Sequence, residues 1–391
     1  MIPVSEARAH LLTLVQQLET EQVPLAQAAG RVLAADLQAR RDQPPFSASA
    51  MDGYAVNAAE VEQHAMFKVI GEAAAGHAFQ GRAGAGQAVR IFTGAPVPEG
   101  ASFVVIQEDT TRNGDLITIT GAPGSNHNIR PRGGDFTDGQ TVTAPKRLTP
   151  ADIALLAAMN IPAIPVTRRP EIALISTGDE LVMPGGTPGP DQIIASNTFG
   201  LKAMLEDLGA RARILPIARD TESSLRTAFE LAEGADLVVT IGGASVGDHD
   251  LVGKVAQDLG MERSFYRVAM RPGKPLMAGR MNGAAMVGLP GNPVSAMVCG
   301  HVFLAPMVRS MLGLPAPSQQ HLLTAVLCAP LTANGPREHY MRANVQSGQL
   351  QAFDNQDSSL LTILAEANAL LVRPPKDGAR SVGDIVQYLP I

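Results

Sequence analysis

Between residues 171 and 289, short apolar runs alternate with segments of helical periodicity, and the loops that follow the runs carry glycine or acid. Residues 172–176, 213–218, 237–241 and 286–289 read as strands. Residues 197–208, 222–233 and 250–259 read as helices, closed by Gly209, Gly234 and Gly260, the second of them capped by Thr221. Strand–helix alternation with apolar strands specifies a doubly wound, mainly parallel sheet. Ligands of such sheets sit at the carboxyl ends of the strands. That draws attention to Ser176-Thr177-Gly178-Asp179-Glu180, to Gly242-Gly243-Ala244-Ser245-Val246-Gly247-Asp248-His249-Asp250, and to Leu289-Pro290-Gly291-Asn292-Pro293-Val294-Ser295. The last loop runs into a helix over 293–311, whose first amides are expected to face the same site and favour an anion.

The rest of the chain is organised differently. Residues 6–19 carry Ala7, Leu11, Leu14, Val15 and Leu18 at helical spacing, which predicts a helix. From 44 to about 143, short apolar runs (67–70, 88–92, 103–106, 116–119) alternate with Gly and Pro turns, the pattern of a small β domain. Thr149 and Pro150 mark the cap and first residue of a helix to 159. Beyond 318 the pattern is again β-like, predicting a C-terminal β module.

Composition excludes several classes. An apolar content of 45% with 17% charged residues suits a folded chain. With no Trp and 4% aromatics, its cores must be aliphatic. A net charge of −6 argues against a nucleic-acid surface. Cys299 and Cys328 lie in apolar surroundings without Cys-x-x-Cys spacing, so both are expected to be buried thiols. The N-terminus lacks a signal-peptide pattern, and the apolar stretch 294–308 looks too short to span a bilayer, so a cytoplasmic, membrane-free protein is expected.

Glu180, Asp220 and Asp250 follow successive strands and would converge on one crevice. Carboxylates beside phosphate oxygens are ordinary Mg²⁺ ligands. Asp220 and Asp250 suit helix capping equally well. Arg271 and Lys274 flank Pro272-Gly273, so one stiff turn carries both charges and can grip an oxyanion. The same pair also reads as solvated surface charge. In the β region, Met51-Asp52-Gly53-Tyr54, Phe92-Thr93-Gly94 and Arg132-Gly133-Gly134-Asp135 have turn chemistry. No serine elbow, zinc-protease helix or Walker loop is present, so catalysis would rest on positioning, a metal and oxyanion contacts.

Six segments occur together in one order: Ser49-Ala50-Met51-Asp52-Gly53-Tyr54-Ala55, Phe92-Thr93-Gly94-Ala95-Pro96-Val97-Pro98, the Thr-Gly-Asp-Glu loop, the Gly-Gly-x-Ser-x-Gly-Asp-x-Asp loop, Pro272-Gly273-Lys274-Pro275 and Gly288-Leu289-Pro290-Gly291-Asn292-Pro293-Val294-Ser295. In this the chain resembles the molybdopterin molybdenumtransferase family, the MoeA and gephyrin E-domain proteins. The resemblance implies a homodimer of multidomain α/β plus β subunits. Residues 1–20 and 169–316 would form the doubly wound domain, similar to molybdopterin adenylyltransferases. Residues 21–44 and 139–168 would form an extended dimerisation domain, 45–138 the β domain, and 317–391 a C-terminal β-barrel.

The implied reaction inserts molybdenum from molybdate into adenylylated molybdopterin and releases AMP, with Mg²⁺ as cofactor. Asp52, Thr93 and Asp135 would be the β-domain contribution to a site completed across the dimer. Glu180, Asp220 and Asp250 would line the pterin-nucleotide and Mg²⁺ pocket, beside Gly242, Gly243 and Ser245. Arg271, Lys274, Pro275, Ser295, Arg342 and Ser358 would hold molybdate. A molybdopterin adenylyltransferase and the molybdoenzymes are the implied partners. Ser47 and Ala48, Arg271, and Asp357 depart from the family pattern, and the last would repel molybdate unless turned away. An adenylyltransferase and a non-catalytic binding scaffold remain the alternatives.

Overall fold

A computed structural model describes residues 1–243, 251–315 and 322–391. The chain forms two compact units. One comprises residues 1–21, 30–34 and 166–391, the other residues 22–29 and 35–165.

The first unit is built on a six-stranded sheet in the order Arg211–Ile214, Glu171–Ser176, Leu237–Ile241, Ala284–Leu289, Pro275–Met281, Glu262–Arg267. The first four strands are parallel, and the last two are joined on through antiparallel pairings. Alternate residues of one strand serve opposite faces. Ile172 and Leu174 pack with Leu201, Leu205, Leu11 and Phe303, while Ala173 and Ile175 pack with Leu225, Phe229 and Val255. Both faces are therefore covered, as the uninterrupted apolar strands required. The helices Asn197–Asp207 and Glu222–Leu231 end near Gly209 and Gly234, both at positive φ, and Thr221 accepts the Ser224 amide.

Three boundaries differ from expectation. The N-terminal helix is Val4–Thr13 and stops short of residue 19. The Thr13 hydroxyl donates to the His10 carbonyl, and Leu18 continues as chain that donates to the Met311 carbonyl. The strand expected over 213–218 is Arg211–Ile214, because Pro216 has no ladder donor; Ala218 rejoins only as a bridge to Thr177. The two antiparallel strands, Glu262–Arg267 and Pro275–Met281, were not anticipated, since the turn between them dominates that stretch of sequence.

The helical stretch Pro293–Met311 runs 19 residues, with a π-helical segment at Gly300–Leu304. By length and composition it could cross a membrane, contrary to the expectation from 294–308, yet 67% of it is buried. Val294, Val298, Val302, Phe303 and Met307 are all core residues. Cys299 is buried there, and burial raises its thiol pKa. Cys328 is exposed, against expectation. It follows the strand Leu323–Leu327, whose Leu327 points inward, so the strand's alternation turns the next side chain out.

The C-terminal part closes a five-stranded barrel. Its order is Glu338–Gln346, Gln349–Ala352, Leu323–Leu327, Ile385–Pro390 and Ala369–Arg373, and the last strand pairs back onto the first. Closure removes sheet edges. Met270–Arg271 adds to Glu338–Gln346 in parallel, and Tyr340, Leu370 and Val372 share the core of the α/β sheet. The barrel and the Arg271 turn are thus tied together.

The second unit has a six-stranded sheet in the order Phe103–Ile106, Gly53–Val56, Gln87–Ile91, Met66–Ala73, Leu116–Ile119, Thr110–Asn113. Each apolar run of the sequence supplies one of its strands. Its helix Pro150–Ala158 starts at a full capping box of Thr149 and Asp152.

Candidate active site

A cavity of 870 Å³ opens at the carboxyl ends of the parallel strands. Ser176, Thr177, Gly178 and Glu180 line it from the first loop, Asp220 from the next, and Gly242 and Gly243 from the third. Pro290, Gly291, Asn292 and Pro293 line it from the fourth, with Pro275 on the same wall. Loops distant in sequence are gathered because each ends a strand of one sheet. Gly178 has a φ of +140°, and a Cβ there would sit 2.3 Å from the Glu180 carboxylate. Only glycine lets that carboxylate fold over the loop.

The first two loops are stitched together. The Arg219 guanidinium donates to the carbonyls of Asp179 (2.9 Å) and Leu181 (3.4 Å), and the Asp220 amide donates to Asp179 Oδ1 (3.3 Å). Glu180 and Asp220 are both exposed at the cavity. They are two hard oxygen ligands, and Mg²⁺ commonly takes one or two carboxylates plus substrate phosphates. Among the described residues no group of three or more His, Cys, Asp or Glu could hold a metal unaided. Glu180 and Asp220 together offer a cation two carboxylates and no third described acid. Asp250 and Ser245 lie outside the described residues.

The residues assigned to the oxyanion fall into two groups. Arg271 and Lys274 are exposed on the turn between the antiparallel strands. A Cβ on Gly273 would meet Cys299 Sγ at 2.5 Å, so the turn lies tightly on the core helix. His339 pairs with Arg271 across the sheet and is held near pKa 4 by burial and by the surrounding Arg271, Arg373, Arg337 and Arg342 charges. The other group sits on the barrel. Arg342 is 1% exposed. Its Nε donates to Gln356 Oε1 (3.2 Å), Nη1 to the carbonyls of Asp357 (2.8 Å) and Leu360 (3.4 Å), and Nη2 to that of Asn355 (3.3 Å). Arg342 thus holds the loop that carries Ser358. Asp357 accepts from the amide (2.9 Å) and hydroxyl (2.6 Å) of Ser359, which lower its pKa.

The start of the core helix differs from expectation. Pro293 has no N–H, and the Val294 amide donates to the Ser358 carbonyl at 3.1 Å. Ser295 is 4% exposed. The helix start is therefore partly spent on the barrel loop. Asn292 and Asn197 went unnoticed in the sequence. Asn197 Nδ2 donates to the Gly291 carbonyl (2.7 Å), and Asn292 Nδ2 to Ser358 Oγ (3.0 Å).

In the second unit, Asp52 Oδ1 accepts from both the amide and the hydroxyl of Thr93, each at 2.7 Å. These bonds hold the Asp52 carboxyl below its usual pKa, with a smaller contribution from Arg90. Asp135 is exposed on a separate loop, its amide bonded to the Gln43 carbonyl at 2.9 Å. Ala48 is buried and pairs with Arg130, and Ser47 gives its carbonyl to Val97, so the backbone at both departures is used in the fold.

The family profile described as "MoeA N-terminal region (domain I and II)" matches residues 2–160. That of a "Probable molybdopterin binding domain" matches 173–310, and that of the "MoeA C-terminal region (domain IV)" matches 324–391. A molybdopterin molybdenumtransferase of Haemophilus influenzae is 34% identical, over 100% of this chain and 98% of its own. The chain belongs to the molybdopterin molybdenumtransferase (MoeA) family. Molybdopterin molybdenumtransferase 2 of Mycobacterium tuberculosis is 38% identical over 90% of each chain. The crystal structure of a MoeA molybdopterin biosynthesis protein from Pyrococcus horikoshii OT3 superposes with a TM-score of 0.84 at 26% identity, covering 100% of both chains. The α/β sheet and the C-terminal barrel expected from the resemblance are both present.

Proposed function

We propose that this chain is a molybdopterin molybdenumtransferase that takes adenylylated molybdopterin and molybdate, places molybdenum on the dithiolene sulfurs and releases AMP. The observation that carries the reading is the convergence of Glu180, Asp220, Gly242 and Gly243 on one cavity of 870 Å³ at the sheet's carboxyl edge, in a MoeA family member that aligns with 98% of a molybdopterin molybdenumtransferase. Glycine amides suit phosphate oxygens, and an open cavity of this size is in the range of nucleotide-sized ligands.

In this reading Glu180, Asp220 and Asp250 hold Mg²⁺, which supplies charge neutralisation at the phosphates when bound. Gly242, Gly243 and Ser245 approach the pterin nucleotide. Arg271 and Lys274 attract molybdate, while Pro275, Ser295 and Ser358 shape its seat and Arg342 supports it. Asp52 is kept ionised by Thr93, as a base or an orienting acceptor would need to be. Asp52, Thr93 and Asp135 serve the site of a second copy in a homodimer, and the protein works in the cytoplasm, between a molybdopterin adenylyltransferase and the molybdoenzymes. Catalysis then comes from holding two reactants together, with no covalent enzyme intermediate.

The test is anaerobic turnover of adenylylated molybdopterin by the purified protein with Mg²⁺, with and without molybdate. Molybdate-dependent AMP release is expected. Formation of adenylylated pterin from ATP would instead mark an adenylyltransferase. Retention of the pterin nucleotide without any release would mark a scaffold. Asp220→Asn should lower turnover by about 100-fold, on the scale typical of metal and phosphate contacts, while thermal unfolding shifts little, since Asp220 is exposed. Unchanged turnover in Asp220→Asn would remove it from the metal role.

A further inference from the structure

Asn292 stands at the N-cap of the helix Pro293–Cys299, where an Asn side chain normally accepts an amide of the first turn. Here it caps nothing. It reaches instead to the barrel loop, where Nδ2 donates to Ser358 Oγ at 3.0 Å. Two further bonds fix the geometry of this contact. The Val294 amide holds the Ser358 carbonyl at 3.1 Å, and Asn197 Nδ2 holds the Gly291 carbonyl at 2.7 Å. Asn292 also lines the cavity, as do Asn197 and Gly291.

A serine hydroxyl has one proton to give and two lone pairs to offer. An amide N–H on one lone pair commits the oxygen as acceptor and turns the proton elsewhere. No acceptor among the described residues takes the Ser358 proton. The hydroxyl is therefore prepared to donate to an incoming anion. We propose that Asn292 is a positioning residue for the oxyanion: it presents Ser358 as a hydrogen-bond donor and links the nucleotide cavity to the oxyanion seat. This rests on the transferase reading and names a residue through which that site works.

The polarity of the Asn292–Ser358 bond makes the proposal testable. Asn292→Asp keeps the shape but replaces the donor by a charged acceptor, so Ser358 would turn its proton inward to the new carboxylate, and the added charge opposes the dianion weakly on its own account. Three proteins, Asn292→Asp, Ser358→Ala and the double variant, would be compared with the wild type. The half-saturating molybdate concentration and the KM for adenylylated molybdopterin would be read from AMP release. Stabilisation of each protein against heat by molybdate alone would supply a readout independent of turnover. Asn292→Asp is expected to raise the half-saturating molybdate concentration about tenfold, the scale of one hydrogen bond to a charged group. The pterin KM should move much less, and the double variant should be worse than Ser358→Ala by no more than about twofold, the effect of one added carboxylate on a dianion across water.

A merely structural staple would lower the melting temperature and raise both constants together, which would overturn the proposal. So would an unchanged molybdate response in Asn292→Asp, or effects of the two substitutions that multiply in the double variant. These outcomes all require a wild type that turns over with molybdate. A wild type without molybdate-dependent AMP release would instead overturn the transferase reading, and this inference with it.

Discussion

Arg342 and the Arg271–Lys274 pair are basic side chains assigned to one oxyanion, yet the fold uses them in opposite ways. Arg342 is 1% exposed, and its donors end on acceptors of residues 355–360. Arg271 and Lys274 are exposed on a turn pressed against the core helix at Gly273. One region spends its charge on building the site's wall. The other keeps its charge available. The difference teaches that a basic residue in a binding motif can be ligand or scaffold, and that burial with most donors already spent on protein acceptors marks the scaffold.

The largest effect should follow from removing the scaffold. Arg342→Ala leaves the carbonyls of Asn355, Asp357 and Leu360 without this donor, while Gln356 Oε1 keeps the Arg342 amide, and each lost bond costs roughly 1 kcal/mol. A loss of about 3 kcal/mol or more in unfolding free energy is expected, read by chemical denaturation. Arg342→Lys should not restore it, because a single ammonium cannot reach acceptors spread over a planar fork. Arg342→Ala with native stability and a molybdate defect alone would reverse the comparison and make Arg342 a ligand first.

Lys274→Ala should behave in the opposite way. Its exposed ammonium supports little of the fold, so stability should change by no more than about 0.5 kcal/mol. The half-saturating molybdate concentration should rise about 10- to 100-fold, as expected for loss of a charge-assisted contact to a dianion. An unchanged molybdate response would return Lys274 to the class of solvated surface charges.

The sequence carried the sheet and the cavity well, for a physical reason. Apolar strands of five or six residues have few alternatives, and loops at their carboxyl ends are brought together by the sheet itself. Glu180, Asp220 and Gly242 are thus brought to one crevice by the strand order that their flanking runs specify. The antiparallel pair Glu262–Arg267 and Pro275–Met281 was hidden because it flanks a Pro-Gly turn that reads as loop. Cys328 was misread because side-chain direction at a strand's end depends on register, which apolar neighbours do not reveal. Asn292 was hidden by its own motif: Gly-Asn-Pro before a helix announces a cap, and nothing local says that the amide will bond a serine 66 positions away. The Arg342 contacts are likewise set by how the barrel closes.

The smallest effect is expected at Asp357, and it sharpens the same comparison from the side of negative charge. This carboxylate lies within the loop that Arg342 supports, next to the Ser358 bonded by Asn292, so a free negative charge there would oppose an arriving dianion. Two Ser359 donors hold it instead and keep it ionised, its pKa below the ordinary carboxylate range. Asp357→Asn preserves an acceptor for Ser359 and removes only the charge. The half-saturating molybdate concentration should fall about twofold at low ionic strength, since exposed charges interact weakly in water. The gain should be constant from about pH 6 to about pH 8, because a carboxyl with a depressed pKa is fully charged throughout that range. Added salt should erase it as the screening length shrinks to a few ångströms. A twofold gain that survives about 0.5 M salt would mean direct contact between Asp357 and the anion. No gain at low salt would mean that Ser359 has already drawn the carboxylate off the anion's path.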